Sequence, residues 1–278
     1  MLRRVFRLAL FAALLLTAGV LAFLLFGPEP SNDRDWTPDQ ARLPWAEFAG
    51  RRVAVHNVRN ARYRSTQDYD VAWEDRSYDL DRLQSAWFVV EPFESQDWEG
   101  PAHTLMSFGF AGDDYLAISV EIRKEKGESF SPWKGLLRQY EVMYVAGDER
   151  DLIQLRTNYR RDPVYLYPVR APRERIEQMF VSMLRRANHL RQEPEHYNTL
   201  TNTCTTNIVR HVNELVPRRV PWSYKILLPG YSDELAYELG LIDTELPFAA
   251  AKQHFRIDDD ALRAAGREDF SRRIRQGL

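Results

Sequence analysis

Residues 8–26 form a nearly continuous apolar run, broken only by Thr17 and Gly19. At ~1.5 Å of helix per residue such a run spans a ~30 Å hydrocarbon core. It exceeds the roughly 7–15 apolar residues of a cleavable leader, and no small-residue cleavage pattern follows it before Gly27-Pro28-Glu29-Pro30. A spanning helix is therefore predicted. Arg3, Arg4 and Arg7 precede it, so the positive-inside tendency puts residues 1–27 down as a cytoplasmic stub and anchor, with everything beyond on the far side. Residues 28–50, rich in Pro and Asp and without periodicity, read as a linker and tether. A folded domain is expected over 51–245, and a helical flank over 246–278.

Within the domain the clearest strand is 115–123. There Leu116, Ile118, Val120 and Ile122 alternate with Tyr115, Ala117, Ser119, Glu121 and Arg123, the period of two of a half-buried strand. Residues 103–110 precede it across Ala-Gly-Asp-Asp, which predicts an antiparallel hairpin. The register that sets His103 opposite Glu121 places both on one face, and a slip by one residue separates them. Further strands are predicted at 52–63, 86–90, 140–146, 152–158 and 164–169, with a linker at 91–101. Helical spacing of Ile176, Met179, Phe180, Met183, Leu184, Ala187 and Leu190 predicts a core-facing helix over 173–190. Ile208, Val209, Val212 and Leu215 repeat that pattern until Pro217, so Cys204 stands at a helix start. A short helix is expected over 233–239. The expected class is α+β, an antiparallel sheet packed on helices behind one transmembrane helix.

Composition narrows the function. A net charge of -2 with both signs interspersed lacks the basic face a nucleic-acid binder needs. Cys204 is the only cysteine, so no internal disulfide holds the domain and its core must do so. With one cysteine and no zinc-type spacing among His56, His189, His196, His211 and His254, neither a metal nor another cofactor is expected.

In an oxidising compartment a lone thiol is a liability unless it is buried or used. Free cysteine is often simply a small buried hydrophobe. Here, however, residues 197–207 (YNTLTNTCTTN) surround it with capping types, Asn202 or Thr203 serving as N-cap, and a helix N-terminus favours a thiolate. Such a nucleophile needs a base and a group to orient that base, and His103 and Glu121 on neighbouring strands can supply them. Equally, His103 can be a strand-end histidine and Glu121 part of a solvated strand face. Tyr197 and Asn202 are the candidates for binding substrate or an oxyanion.

The strings HNVRN at 56–60, HTL and SFGF at 103–110, SVEIR at 119–123, YE at 140–141, DERD at 148–151 and YNT with NTCTTN at 197–207 together resemble the Lnb N-terminal periplasmic domain family. The resemblance covers roughly residues 53–242. It implies a permuted papain-like (NlpC-type) thiol-enzyme fold with the order histidine, polar partner, cysteine, here His103, Glu121 and Cys204. It further implies a bacterial inner-membrane protein with its main domain in the periplasm, and an acyltransferase working through an acyl-cysteine on phospholipid or lipoprotein substrates beside the bilayer. Two rivals stay open: a periplasmic cysteine amidase or peptidase of the cell envelope, and a non-catalytic envelope scaffold.

Overall fold

The computed structural model describes residues 2–27, 29–93, 100–217 and 219–278. Helix α1 (Leu2–Phe26) is the one helix among the described residues that is long and apolar enough to cross a membrane, and its stretch Arg3–Phe23 is buried against nothing else in the chain.

The segment expected to be a tether is laid onto the domain instead. The Ser31 N–H donates to Glu141 Oε1 at 3.0 Å, and Asn32 Nδ2 donates to the carbonyls of Leu190 and Arg191 at 2.9 and 3.1 Å. Trp36 is buried beneath the Arg123 guanidinium, 4.2 Å from its ring centroid. Buried Gln40 donates to the Ile122 carbonyl and accepts from the Lys124 N–H. Its polar residues thus satisfy backbone groups of the domain, and its end forms a strand, β1 (Trp45–Ala49).

Strand β2 (Arg52–Arg59) pairs with β1 and is followed by the small hairpin β3 (Arg62–Tyr63) and β4 (Tyr69–Asp70). Next come β5 (Trp73–Asp79), β6 (Leu83–Pro92), β7 (Ala102–Phe110) and β8 (Asp114–Arg123). The β7–β8 hairpin has the expected register, with Leu105 opposite Ser119 and Phe108 opposite Leu116. Of the linker expected at 91–101, residues 94–99 lie outside the described residues, and Glu91 and Pro92 belong to β6. After α2 (Pro132–Leu136) and β9 (Glu141–Gly147), the strand expected at 152–158 is a helix. Asp148 caps it by accepting the Arg150 N–H, α3 (Glu149–Gln154) follows, and a π-helical turn carries on through Leu155–Arg160. The acidic cap outweighs the short apolar alternation.

Strand β10 (Tyr165–Pro168) ends the sheet, and α4 (Arg173–Gln192) and α5 (Cys204–Leu215) occupy the expected positions. Short helices follow: α6 (Tyr224–Leu227), α7 (Ser232–Glu238), α8 (Phe248–His254), α9 (Asp258–Arg263) and α10 (Phe270–Arg273).

Eight strands form one sheet in the order β1-β2-β9-β8-β7-β6-β10, with β5 also on β2. The sheet is mixed rather than wholly antiparallel, because Arg59 of β2 lies parallel to Gly147 of β9. It is covered on both faces. On the first, Phe88, Val90, Met106, Phe108, Ile118, Val120 and Tyr144 pack with Phe180, Met183 and Leu184 of α4 and Cys204 and Ile208 of α5. Phe180 meets Phe108 and Phe110 edge-on at 5.2 and 5.4 Å, the geometry aromatic quadrupoles favour. On the second, Val89, Leu105, Ala117, Met143 and Val145 lie beneath Leu152 and Ile153 and beneath Ile257, Ala261, Phe270 and Ile274. The C-terminal flank therefore completes a core.

Candidate functional site

Thr203 is the N-cap of α5. Its hydroxyl accepts the Thr206 N–H at 3.2 Å while Thr206 Oγ1 accepts the Thr203 N–H at 2.7 Å, a reciprocal capping box. Cys204 is thereby fixed as the first helical residue, 7% exposed, its Sγ 3.8 Å from Thr205 Oγ1. Thr205 Oγ1 in turn lies 3.1 Å from Thr104 Oγ1 and ties the helix start to β7. Tyr197 is buried nearby, its phenol pushed up by burial and further by Cys204. Asn202 closes the loop before the helix. Its Nδ2 donates to the His196 carbonyl and its Oδ1 accepts from Asn207 Nδ2, both at 2.8 Å, so the amide is already committed.

From Thr205 an apolar cavity of about 140 Å³ extends along α5. Ile208 and Val212 of α5, Phe88 and Met106 of the sheet, Met179 of α4 and Leu235 of α7 wall it. Among the described residues, Thr205, Ser232, Arg170 and Arg175 are the only polar ones in its lining.

A second constellation fills the opposite face. His103 Nε2 lies 2.7 Å from Ser119 Oγ, and Ser119 donates to Glu121 Oε1 at 2.9 Å. Glu121 also accepts from Arg156 Nη2 at 3.1 Å. Arg156 and Arg160 flank Glu91, which is fully buried. Beside them Arg59 grips Asp151 bidentately at 2.8 and 2.9 Å, and Asp151 further accepts from the Ala61 N–H and the Tyr63 hydroxyl. Burial is the largest influence on His103 and, with Arg156 adding to it, lowers the imidazole pKa to about 3. It is neutral at pH 7. Burial pushes Glu121 up, but the guanidiniums of Arg156 and Arg59 outweigh it and hold the carboxyl well below its usual range.

The structure brings His103 and Glu121 together, Nε2 to Oε1 4.0 Å apart, on the face the register gives them. It does not bring them to Cys204. Side chains alternate across a strand. Thr104 reaches Thr205 on the α5 face, so His103 points to the other, as does its cross-strand partner Glu91. No hydrogen bond joins Cys204 to His103 among the described residues. Nor do Ser119, His103 and Glu121 form a hydrolytic triad, because hydroxyl and carboxylate approach the same ring nitrogen instead of opposite ones.

Sequence reasoning missed Ser119, Arg59, Glu91, Asp151 and Arg156. For Arg59, Glu91 and Ser119 the signal was present as polar residues in strands, but it reads as a solvated face unless a second layer is known to cover it, and Asp151 and Arg156 lie in a segment expected to be a strand that is helical instead. The other histidines have local partners. His211 sits between Tyr144 and Ser182, His56 stacks on Trp45 and pairs with Asp75, and His189 faces Glu195. Among the described residues no group of three or more His, Cys, Asp or Glu is placed to hold a metal ion.

Against known families, the profile described as Lnb N-terminal periplasmic domain matches residues 69–230. No curated protein and no solved structure matches the chain.

Proposed function

Because the chain belongs to the Lnb N-terminal periplasmic domain family, we propose that it is a membrane-anchored periplasmic protein that accepts an acyl chain on Cys204 as a thioester. The observation that carries this reading is the apolar cavity that Thr205, the residue after the thiol, helps to line. An amidase or peptidase of the cell envelope needs a polar cleft there, and the lining is of the opposite character.

In the proposed reaction the Cys204 thiolate attacks the ester carbonyl of a phospholipid. A C–S bond forms, the C–O bond breaks, and the alcohol leaves with the proton the thiol gave up. An amine, such as the N-terminus of a lipoprotein, then attacks the thioester, forming an amide and returning the thiol. The N–H groups of Cys204 and Thr205, which the capping box does not use, are the oxyanion donors in this scheme. The proposal keeps Cys204 from the permuted papain-like layout, with Tyr197 beside it. It rests thiolate formation on the helix start, since His103 and Glu121 face away.

One observation favours a non-catalytic scaffold as second reading: β7 stands between the imidazole and the thiol. Intact-mass spectrometry of the full-length protein in phospholipid vesicles separates the two. The wild type should gain the mass of one acyl chain and Cys204→Ala none. Absence of any adduct on the wild type with every headgroup tried sinks the thiol reading. An adduct that persists in His103→Ala dismisses the imidazole as base.

A further inference from the structure

Outside α1, four of the exposed large apolar side chains gather at one corner of the domain: Phe130, Trp133, Leu137 and Leu200. Trp133 is 75% exposed on α2. The α2 segment is pinned to the loop that leads into α5, since Thr199 Oγ1 donates to the Pro132 carbonyl at 2.9 Å and Asn198 Nδ2 to the Leu136 carbonyl at 3.4 Å. Gly135 allows this close approach, because a Cβ there would meet Thr199 Oγ1 at 2.4 Å. Trp133 and Leu200 therefore share one surface, four residues upstream of Cys204.

That corner is also where the anchor joins. Phe26 ends α1, and Ser31 is already bonded to Glu141 at the start of β9. Five residues reach at most about 18 Å, and the four from Leu137 to Glu141 at most about 14 Å. If α1 spans the bilayer, this leash holds the corner within about 32 Å of the end of α1, close enough to reach the lipid surface. An exposed aromatic and aliphatic patch, leashed to a spanning helix, has the composition of side chains that settle at the membrane–water interface.

We infer that the corner carrying Phe130, Trp133, Leu137 and Leu200 docks into the bilayer interface and sets the start of α5 facing the lipid. The inference rests on α1 crossing the membrane and not on any chemistry of Cys204.

The test uses the full-length protein in vesicles whose phospholipids are brominated near the head-group end of the acyl chains, which quench nearby tryptophan emission. No tryptophan lies in α1, so the anchor itself contributes nothing. With seven tryptophans in the chain, the wild type should lose roughly one part in seven of its emission, and Trp133→Phe should remove that loss. Trp222, 80% exposed beyond the other end of α5, provides the control, and Trp222→Phe should leave the quenching as it is. Unchanged quenching in Trp133→Phe overturns the inference, as does quenching that disappears in Trp222→Phe instead. Both side chains are exposed, so neither change disturbs the core. If the corner fails this test while Cys204 still acquires an acyl group, the docking surface is wrong and the thiol reading stands. Quenching through Trp133 without an adduct gives the converse.

Discussion

The two faces of the sheet are built on opposite principles. Under α4 and α5 the packing is aliphatic and aromatic and leaves an apolar cavity lined in part by Thr205, the neighbour of the thiol. Under α3 and the C-terminal helices the other face adds to its apolar core a set of buried arginines and carboxylates from the strands, α3 and the π-helical turn, each charge matched to another. Burying ions costs several kcal/mol apiece and is repaid only where the geometry is complete, so the second face tolerates little change in position. The first tolerates change in shape. Adjacent residues of β7 belong to these different worlds, Thr104 to one and His103 to the other.

The largest expected effect is on the charged face. Asp151→Ala takes the bidentate carboxylate from buried Arg59, leaving it only Asp39 at 3.6 Å as an ion-pair partner among the described residues, and should cost about 3–5 kcal/mol in a urea unfolding curve. Adding Arg59→Met should recover part of that loss, whereas no recovery would mean that the charges are not what the face is built around. Next is pH. Below about 6.5 the unfolded chain takes up a proton that folded His103 refuses until about pH 3. Stability contributed by this group is therefore fully present above pH 6.5 and drains away as the pH falls. His211, lowered to about 4 mainly by burial, acts in the same direction. Against the wild type, His103→Asn should flatten the dependence of unfolding free energy on pH by up to about 1.4 kcal/mol per pH unit between pH 6 and 4. An identical slope in the variant would show that the imidazole is not buried neutral. On the apolar face, Thr203→Ala should cost about 1 kcal/mol through loss of the cap, with the pH slope untouched. Smallest of all, Cys204→Ala should change stability by about 1 kcal/mol or less. A much larger loss in thermal unfolding would argue that the cysteine is kept for packing.

Much of the first face could be read from the sequence, because its signals are local. The alternation at Leu116, Ile118, Val120 and Ile122 and the helical spacing of Ile176 to Leu190 each identify their own element, and the capping-type residues before Cys204 mark the start of α5, with the choice between Asn202 and Thr203 as cap made by the structure. The second face escaped because its cover arrives late in the chain. Nothing near Ser119 or Glu121 announces that Phe270 and Ile274 will seal the layer around them, so a buried strand face looked half solvated. Strand β1 was hidden for a similar reason, as Pro and Asp in the segment before it suggested a solvated tether. The order His103, Glu121, Cys204 was legible, and so was the β7–β8 register. Which side of the sheet α5 would choose was not, since that depends on the contact between Thr104 and Thr205, 101 residues apart.

Arg275 closes the second face. Its guanidinium binds both oxygens of the fully buried Glu149, at 2.6 and 2.8 Å, and lies 3.8 Å over the Tyr115 ring and 4.8 Å over that of Trp87. Glu149 precedes it by 126 residues. During synthesis from the N-terminal end, the strands, α3, α4 and α5 are available before this cation exists. Glu149 must wait beside an open hydrophobic surface for a partner made 126 residues later. The order of emergence thus makes the charged layer later to form than the apolar one.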